Sequence, residues 1–403
     1  MAHTIILGSN FAGVTAALEL RRKVGKEHKI TVVSPTEDFL YVPSLIWVPF
    51  GRRKVKDITF NIRKVLEKKK VGFIKDAAVR VDAENSQVHT EKHGILDYDY
   101  VISTTGVKLK FDILENLHPE AGMIENIVIP KYAEKAYDKF KELVKDPGPV
   151  VVGATQGASC MGAAYEYLFN LEKTLRKHKV RDKVEITWLT PEPYLGHFGM
   201  DGMTGAETML SSFMKMFNIN FVTDASIEKI EKDKITLKNG KVLPYKMAML
   251  MPPFTGADAM LNSPELIDDK GFVETNDGYQ HIKYKNVFAA GLAVQVKAPF
   301  KCESTPFGVP KTGYPSDVTG KIAAQNIANM INGKDKFVEK GFGDIPAMCV
   351  MDAGNKEVYI FANKFFRPRQ FAIMVPNVLN DVGKVFLEKY MIYKNKKGLS
   401  FLP

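Results

Sequence analysis

Cysteine is scarce in this 403-residue sequence. There are three, Cys160, Cys302 and Cys349, none in a C-x-x-C pair and none in a Cys/His cluster of zinc spacing. That excludes a disulfide scaffold and a structural zinc centre, and no metal site is expected. No run of about 20 uninterrupted apolar residues exists, so no bilayer-spanning helix is expected. The start, Met1-Ala2-His3-Thr4, lacks a basic segment followed by an apolar core, so no secretory signal peptide is expected. Low-complexity tracts are missing, and so is any nucleic-acid-binding motif. Lys and Arg (56) nevertheless outnumber Asp and Glu (46), for a formal charge of +10. That excess suits anionic ligands or the anionic face of a membrane, and nucleic acid is not expected as a partner.

What is present points to an α/β chain of two domains and a tail. An apolar run, Thr4 to Leu7, ends at Gly8. The segment Gly8-Ser9-Asn10-Phe11-Ala12-Gly13 follows, then a helical stretch, then a second strand, Lys29 to Val33. This is the opening βαβ of a Rossmann-like domain. Its turn and helix N-terminus suit a pyrophosphate. Asn10 stands where the second glycine is usual, and Ser34 stands near the usual ribose-binding acid. A second unit begins at Val150, with the turn Gly153-Ala154-Thr155-Gln156-Gly157-Ala158 and a helix from about Ser159 to Arg176. Its degraded glycine pattern argues against tight NAD(P)H binding. Two later turns, Thr104-Thr105-Gly106 and Ala290-Gly291-Leu292-Ala293, return the chain to the first unit. The implied division is an FAD-binding domain of 1–113 plus 283–350, a second dinucleotide-binding-like domain of 114–282, and a C-terminal segment of 351–403.

These turns look like those of the two-dinucleotide-domain flavoproteins. Within them the chain is similar to the sulfide:quinone oxidoreductases. The matching stretches are Gly153 to Cys160 with Tyr165-Glu166, Glu192-Pro193-Tyr194-Leu195-Gly196-His197, Val309 to Tyr314, and Ala347-Met348-Cys349. The resemblance implies FAD as cofactor, hydrogen sulfide and a membrane quinone as partners, and Cys160 and Cys349 flanking the flavin. It implies sulfide oxidised to sulfur or polysulfide on one side, with electrons leaving to quinone by the opposite face. Three departures stand out. The family often has a third redox cysteine where Val128 lies here, and a histidine where Tyr132 lies. It often has a longer C-terminal anchor than a chain stopping at Pro403.

The site residues follow from both lines. Cys160, in the first turn of its helix, is expected to gain thiolate character from the free N–H groups there. Glu166 is a proton-relay candidate as a half-buried carboxylate, and His197 a proton carrier near neutral pH. Gly8, Asn10, Gly13, Ser34, Thr105, Gly106 and Gly291 are expected to hold the cofactor. Lys311 is expected near the anionic edge of the reduced ring, raising its electron affinity. In the tail, Val378, Leu379, Val382, Val385, Phe386, Tyr390 and Met391 recur at helical spacing, with Lys384, Lys389, Lys394, Lys396 and Lys397 interleaved or following. This reads as an amphipathic helix on the membrane surface, its lysines on anionic headgroups. Tyr41, Pro43 and Phe386 are the quinone candidates. A peripheral, monotopic location on the cell membrane follows, and a homo-oligomer is left open. The competing functions are an NADH:quinone oxidoreductase, a soluble sulfide dehydrogenase and a non-catalytic sulfur-binding flavoprotein.

Overall fold

The structure, a computed structural model, describes residues 1–302, 304–377 and 382–402. Its first sheet has five parallel strands in the order Val287–Ala289, Tyr100–Ser103, His3–Leu7, Lys29–Ser34 and Gly72–Lys75. The central strand is buried along nearly its whole length, as a parallel strand covered on both faces must be. It feeds the helix Phe11–Lys23 through the glycine turn. Gly8 lies at φ 109°, and a Cβ on it would stand 2.5 Å from the Thr104 carbonyl. A Cβ on Gly13 would stand 2.1 Å from the Gly8 carbonyl oxygen. Only glycine permits helix, turn and neighbouring strand to approach this closely.

The second sheet is also parallel, in the order Ile219–Val222, Ile186–Leu189, Val150–Ala154 and Met247–Met251. The expected pair of Rossmann-like units is therefore present. A third sheet is antiparallel and joins Ala347–Asp352, Glu357–Ala362 and Ala372–Asn377. The domain boundary expected between 350 and 351 falls inside the first of these strands. One apolar core belongs to the first sheet. Another runs from the second sheet to the third, taking in Trp47 and Phe50 from the 3-10 segment Val42–Phe50.

The chain closes with the helix Val382–Lys397. Val378 and Leu379 lie outside the described residues. Val385, Met391 and Ile392 pack on the apolar cores, but charged residues of the helix also face inward and some apolar ones face out. Lys384, Glu388, Lys394 and Asn395 are buried against the protein, whereas Val382, Phe386 and Tyr393 point outward. At 3.6 residues per turn the three outward residues form one stripe and the four buried ones lie across the helix from it. The reason is ion pairing. Lys384 meets Glu166, and Lys394 meets Asp317 at 3.1 Å. Glu388 receives Arg53 at 3.0 Å and the Ser44 hydroxyl at 2.7 Å. Lys384 and Lys394 are thus not headgroup lysines, a correction to the sequence reading; Lys389 and Lys397 remain exposed. No described helix is long and apolar enough to cross a membrane.

Candidate functional site

The site begins at the first glycine turn. Asn10 caps the helix Phe11–Lys23, its side-chain oxygen accepting from the Phe11 N–H at 3.0 Å while its amide donates to Leu40 O at 3.2 Å. That explains the residue in place of the second glycine, since Asn is among the best N-caps. The next amides of the first turn have no intrahelical acceptor and face the turn. A Cβ added at Gly106 would meet nothing within 4 Å, so space lies open beside the Thr105-Gly106 turn. A cradle free of Cβ atoms, a helix N-terminus and that open side together fit a dinucleotide. Ser34 is buried, its hydroxyl accepting from Ser9 Oγ at 2.8 Å and from the Thr36 N–H at 3.4 Å, so it braces the turn.

On the far side, the Gly291 N–H donates to Thr319 Oγ1 at 2.9 Å. The buried Lys311 ammonium donates to Leu292 O at 3.0 Å and Val294 O at 2.8 Å, and lies 3.1 Å from the centre of the Phe272 ring. Burial holds its pKa well below the usual lysine range. Lys311 thus fixes the turn after Gly291 through backbone carbonyls.

Cys160 is the N-cap residue of the helix Met161–Lys177, one position before the first turn. Burial lifts its thiol to about 11, against the small opposing help of an N–H bond. Desolvation thus works against the anion that the helix terminus favours. Cys349 lies on the strand Ala347–Asp352 and retains surface open to solvent, yet protein crowds it on most sides. Burial, reinforced by the Glu166 charge, pushes its thiol to about 12.

Glu166 is the common neighbour. Its charge is felt by Cys160, Cys349 and Tyr41. It is buried rather than half-buried, accepts from the Asp352 N–H at 2.8 Å, and is paired with Lys384. Burial raises its pKa, and Lys384 opposes that rise. Tyr41 is buried against Phe11, with ring centres 5.9 Å apart. Burial, then the charges of Glu388, Cys349 and Glu166, drive its phenol far up. The structure thus brings Cys160, Cys349, Glu166 and Tyr41 together, with Pro43 two residues along. Sequence reasoning missed Lys384 as a member of this group. Its signal was the spacing of Lys384 and Glu388 opposite Val382 and Phe386.

Phe386 is not part of that cluster. It stands on the outer stripe of its helix, 66 % exposed, stacked at 6.2 Å on Tyr390. His197 sits apart among rings, 4.7 Å from Phe300 and 4.8 Å from Phe307. Burial lowers its pKa, so the neutral form is favoured, and its Nδ1 is buried without a partner. Val128 packs with Cys160 around Phe254 and Phe272.

The second glycine turn is closed by the chain itself. The Gly157 N–H donates to Pro306 O at 2.5 Å and the Thr155 N–H to Met251 O at 3.0 Å. Gln156 is bound at both ends of its amide to the backbone of Ile227, at 3.0 Å each. The Gly308 N–H donates to Ala158 O at 2.9 Å, so the loop around 306–308 lies over the turn.

A family model described as pyridine nucleotide-disulphide oxidoreductase matches residues 2–298. The sulfide-quinone reductase of Aquifex aeolicus (strain VF5) is 31% identical over 406 residues, covering 98% of this chain and 91% of that protein. The chain belongs to the sulfide:quinone oxidoreductase family. The X-ray structure of the sulfide:quinone oxidoreductase from that bacterium matches with a TM-score of 0.92 at 30% identity, over 99% of this chain and 92% of that one. The mitochondrial sulfide:quinone oxidoreductase of Dictyostelium discoideum is 28% identical, over 71% of this chain and 64% of that protein.

Proposed function

We propose that this chain oxidises sulfide to sulfur or polysulfide and delivers two electrons through FAD to a membrane quinone. The observation that carries it is the grouping of Cys160 and Cys349 around Glu166, beside a second glycine turn whose amides already have partners. An NADH:quinone oxidoreductase needs that second turn free for a pyrophosphate, and needs no thiol pair.

FAD supplies a two-electron sink for sulfide and a two-electron source for quinone. The Gly8–Gly13 turn and the helix after it hold its pyrophosphate, with Asn10 and Ser34 bracing the turn. Thr105 and Gly106, with open space beside them, would border its ring, and Gly291, packed against Ala12, would shape the turn that Lys311 keeps in place. Cys160 and Cys349 bind the sulfur removed from sulfide. Their thiols are neutral at pH 7 unless a base assists, and Glu166 is the adjacent carboxylate that takes such a proton. Lys384 holds Glu166 in position and offers a second proton-bearing group on the route toward Tyr41. Quinone reduction consumes two protons, so an exchangeable pair there has a use. The neutral His197 serves the sulfide side as an acceptor.

The membrane face is the outward stripe Val382, Phe386 and Tyr393 together with the exposed Phe371, Ile373 and Val375. Ile373 and Val375 alternate along one strand, with Phe371 just before it, and so share one face of the third sheet, where Ile373 pairs with the exposed Phe361. Lys389 and Lys397 flank the stripe and suit anionic headgroups. A monotopic position is supported by this surface, with Phe386 and Pro43 serving the approach of quinone and Tyr41 its deeper end. The flavin unit is assigned to 1–113 and 283–346, the inserted unit to 114–282, and the membrane unit to the third sheet and the last helix.

The test is anaerobic. Sulfide should bleach the yellow protein and a short-chain quinone should restore it, with NADH inert in the first step. Bleaching by NADH and not by sulfide would overturn the proposal in favour of the nicotinamide reading.

A further inference from the structure

Glu192 has no exposed surface, and no cation lies near enough among the described residues to influence its carboxyl. Neutral donors hold it instead. The Thr190 hydroxyl donates at 2.8 Å, the Phe198 N–H at 2.6 Å and the Tyr165 hydroxyl at 3.2 Å. The Tyr165 hydroxyl in turn accepts from the Gly196 N–H at 3.3 Å. Each donor comes from a different piece of the fold. Thr190 follows the strand Ile186–Leu189, and Tyr165 stands in the helix that Cys160 caps. Phe198 and Gly196 flank His197.

The turn around His197 needs such an anchor. Phe198 lies at φ 54° and Gly196 at φ 82°, both left-handed, and Phe is disfavoured there. Such a conformation persists only where its surroundings over-determine it. The His197 ring makes no hydrogen bond through Nδ1, so that nitrogen adds no anchor to the turn. Behind Glu192, Tyr165 is itself fixed by stacking on Trp188 at 4.0 Å.

We infer that Glu192 is a positioning residue that locks the turn carrying His197 to the helix carrying Cys160. It touches neither side chain and acts through the Phe198 and Gly196 amides. The inference rests on the reading that His197 serves the sulfide side. Burial lifts the Glu192 carboxyl to about 7, so a glutamine reproduces one of its two native protonation states.

The experiment uses the FAD-loaded protein labelled with [15N]histidine, with the His197→Ala variant identifying the His197 ring signals. Glu192→Ala should shift or split those signals. It should also slow anaerobic bleaching by sulfide about tenfold to a hundredfold, the scale of a roughly 1 Å misplacement. Glu192→Gln should restore both. Tyr165→Phe removes the hydroxyl between Glu192 and Gly196 and is read in the same way if Glu192→Ala does not fold. A folded, flavin-bound Glu192→Ala with unchanged His197 signals overturns the inference, and so does a Glu192→Gln as impaired as the alanine variant. If His197→Ala bleaches at the normal rate, the catalytic reading of His197 fails, while the ring signals still decide the role of Glu192.

Discussion

The Lys384 ammonium is paired with the Glu166 carboxylate across 218 residues of sequence, with both side chains almost wholly shielded from water. The pair ties the last helix to the helix of Cys160. Removing one partner strands the other charge in a poorly solvated site, which costs about 3–5 kcal/mol. Lys384→Met should therefore lower the denaturation midpoint markedly. The double variant Lys384→Met with Glu166→Gln should recover most of that loss. Midpoints that simply add would show that the two groups do not interact.

Cys160→Ser and Cys349→Ser should each lose nearly all sulfide-driven bleaching while still binding flavin, and Cys302→Ser should change little. The raised thiols add a second readout. With pKa values of about 11 and 12, the thiolate fraction at pH 7 is small and grows with pH up to those values. Alkylation of the reduced protein by iodoacetamide, followed at each cysteine by mass spectrometry, should accelerate about tenfold per pH unit between pH 7 and 10. A rate already level at pH 8 would mean that a nearby cation has overridden desolvation.

Membrane attachment is best tested from the outer stripe. Deleting the whole helix would also strip Glu166 of Lys384 and Asp317 of Lys394, so loss of binding would be confounded by loss of fold. Phe386→Glu with Ile373→Glu leaves those ion pairs alone. The double variant should fail to float with anionic vesicles and should reduce long-tailed quinone slowly, while sulfide still bleaches it at the normal rate. Undiminished flotation would refute the assignment of this face.

Val128 offers no sulfur for a thioether to the flavin, and its side chain shares an apolar cluster with Cys160. Acid denaturation should accordingly release all the FAD into the supernatant. Yellow fluorescence migrating with the polypeptide on a denaturing gel would identify a tether elsewhere, with Cys302 the first residue to examine.

The parts of the fold that were legible in the sequence are those set by local chemistry. The Gly8–Gly13 turn, the helix it starts and the two later glycine turns follow from steric needs that few residues satisfy. Cys160 and Cys349 drew attention by their flanking residues, whereas the capping of the helix by Asn10 emerged only from the structure. The thiol pKa of Cys160 was not legible, because a helix terminus is a local feature, whereas desolvation depends on packing from distant segments. The orientation of the last helix failed for the same reason. Periodicity shows that a helix has two faces, but not which one is inward. That choice was made by Glu166 and Asp317, which lie far away in sequence.

The first sheet is left open until late. Its edge strand Val287–Ala289 pairs with Tyr100–Ser103, whereas every strand of the second sheet lies between Val150 and Met251. A ribosome delivers the chain from its amino end, so every strand of the second sheet is made before the first sheet gains its edge strand. The glycine turn for the flavin therefore waits, partly unsupported, while its neighbour matures. Limited proteolysis of chains stalled on the ribosome with about 270 residues exposed should leave the 150–251 region resistant and the first hundred residues sensitive. Equal resistance would mean that the open sheet is stable without its last strand.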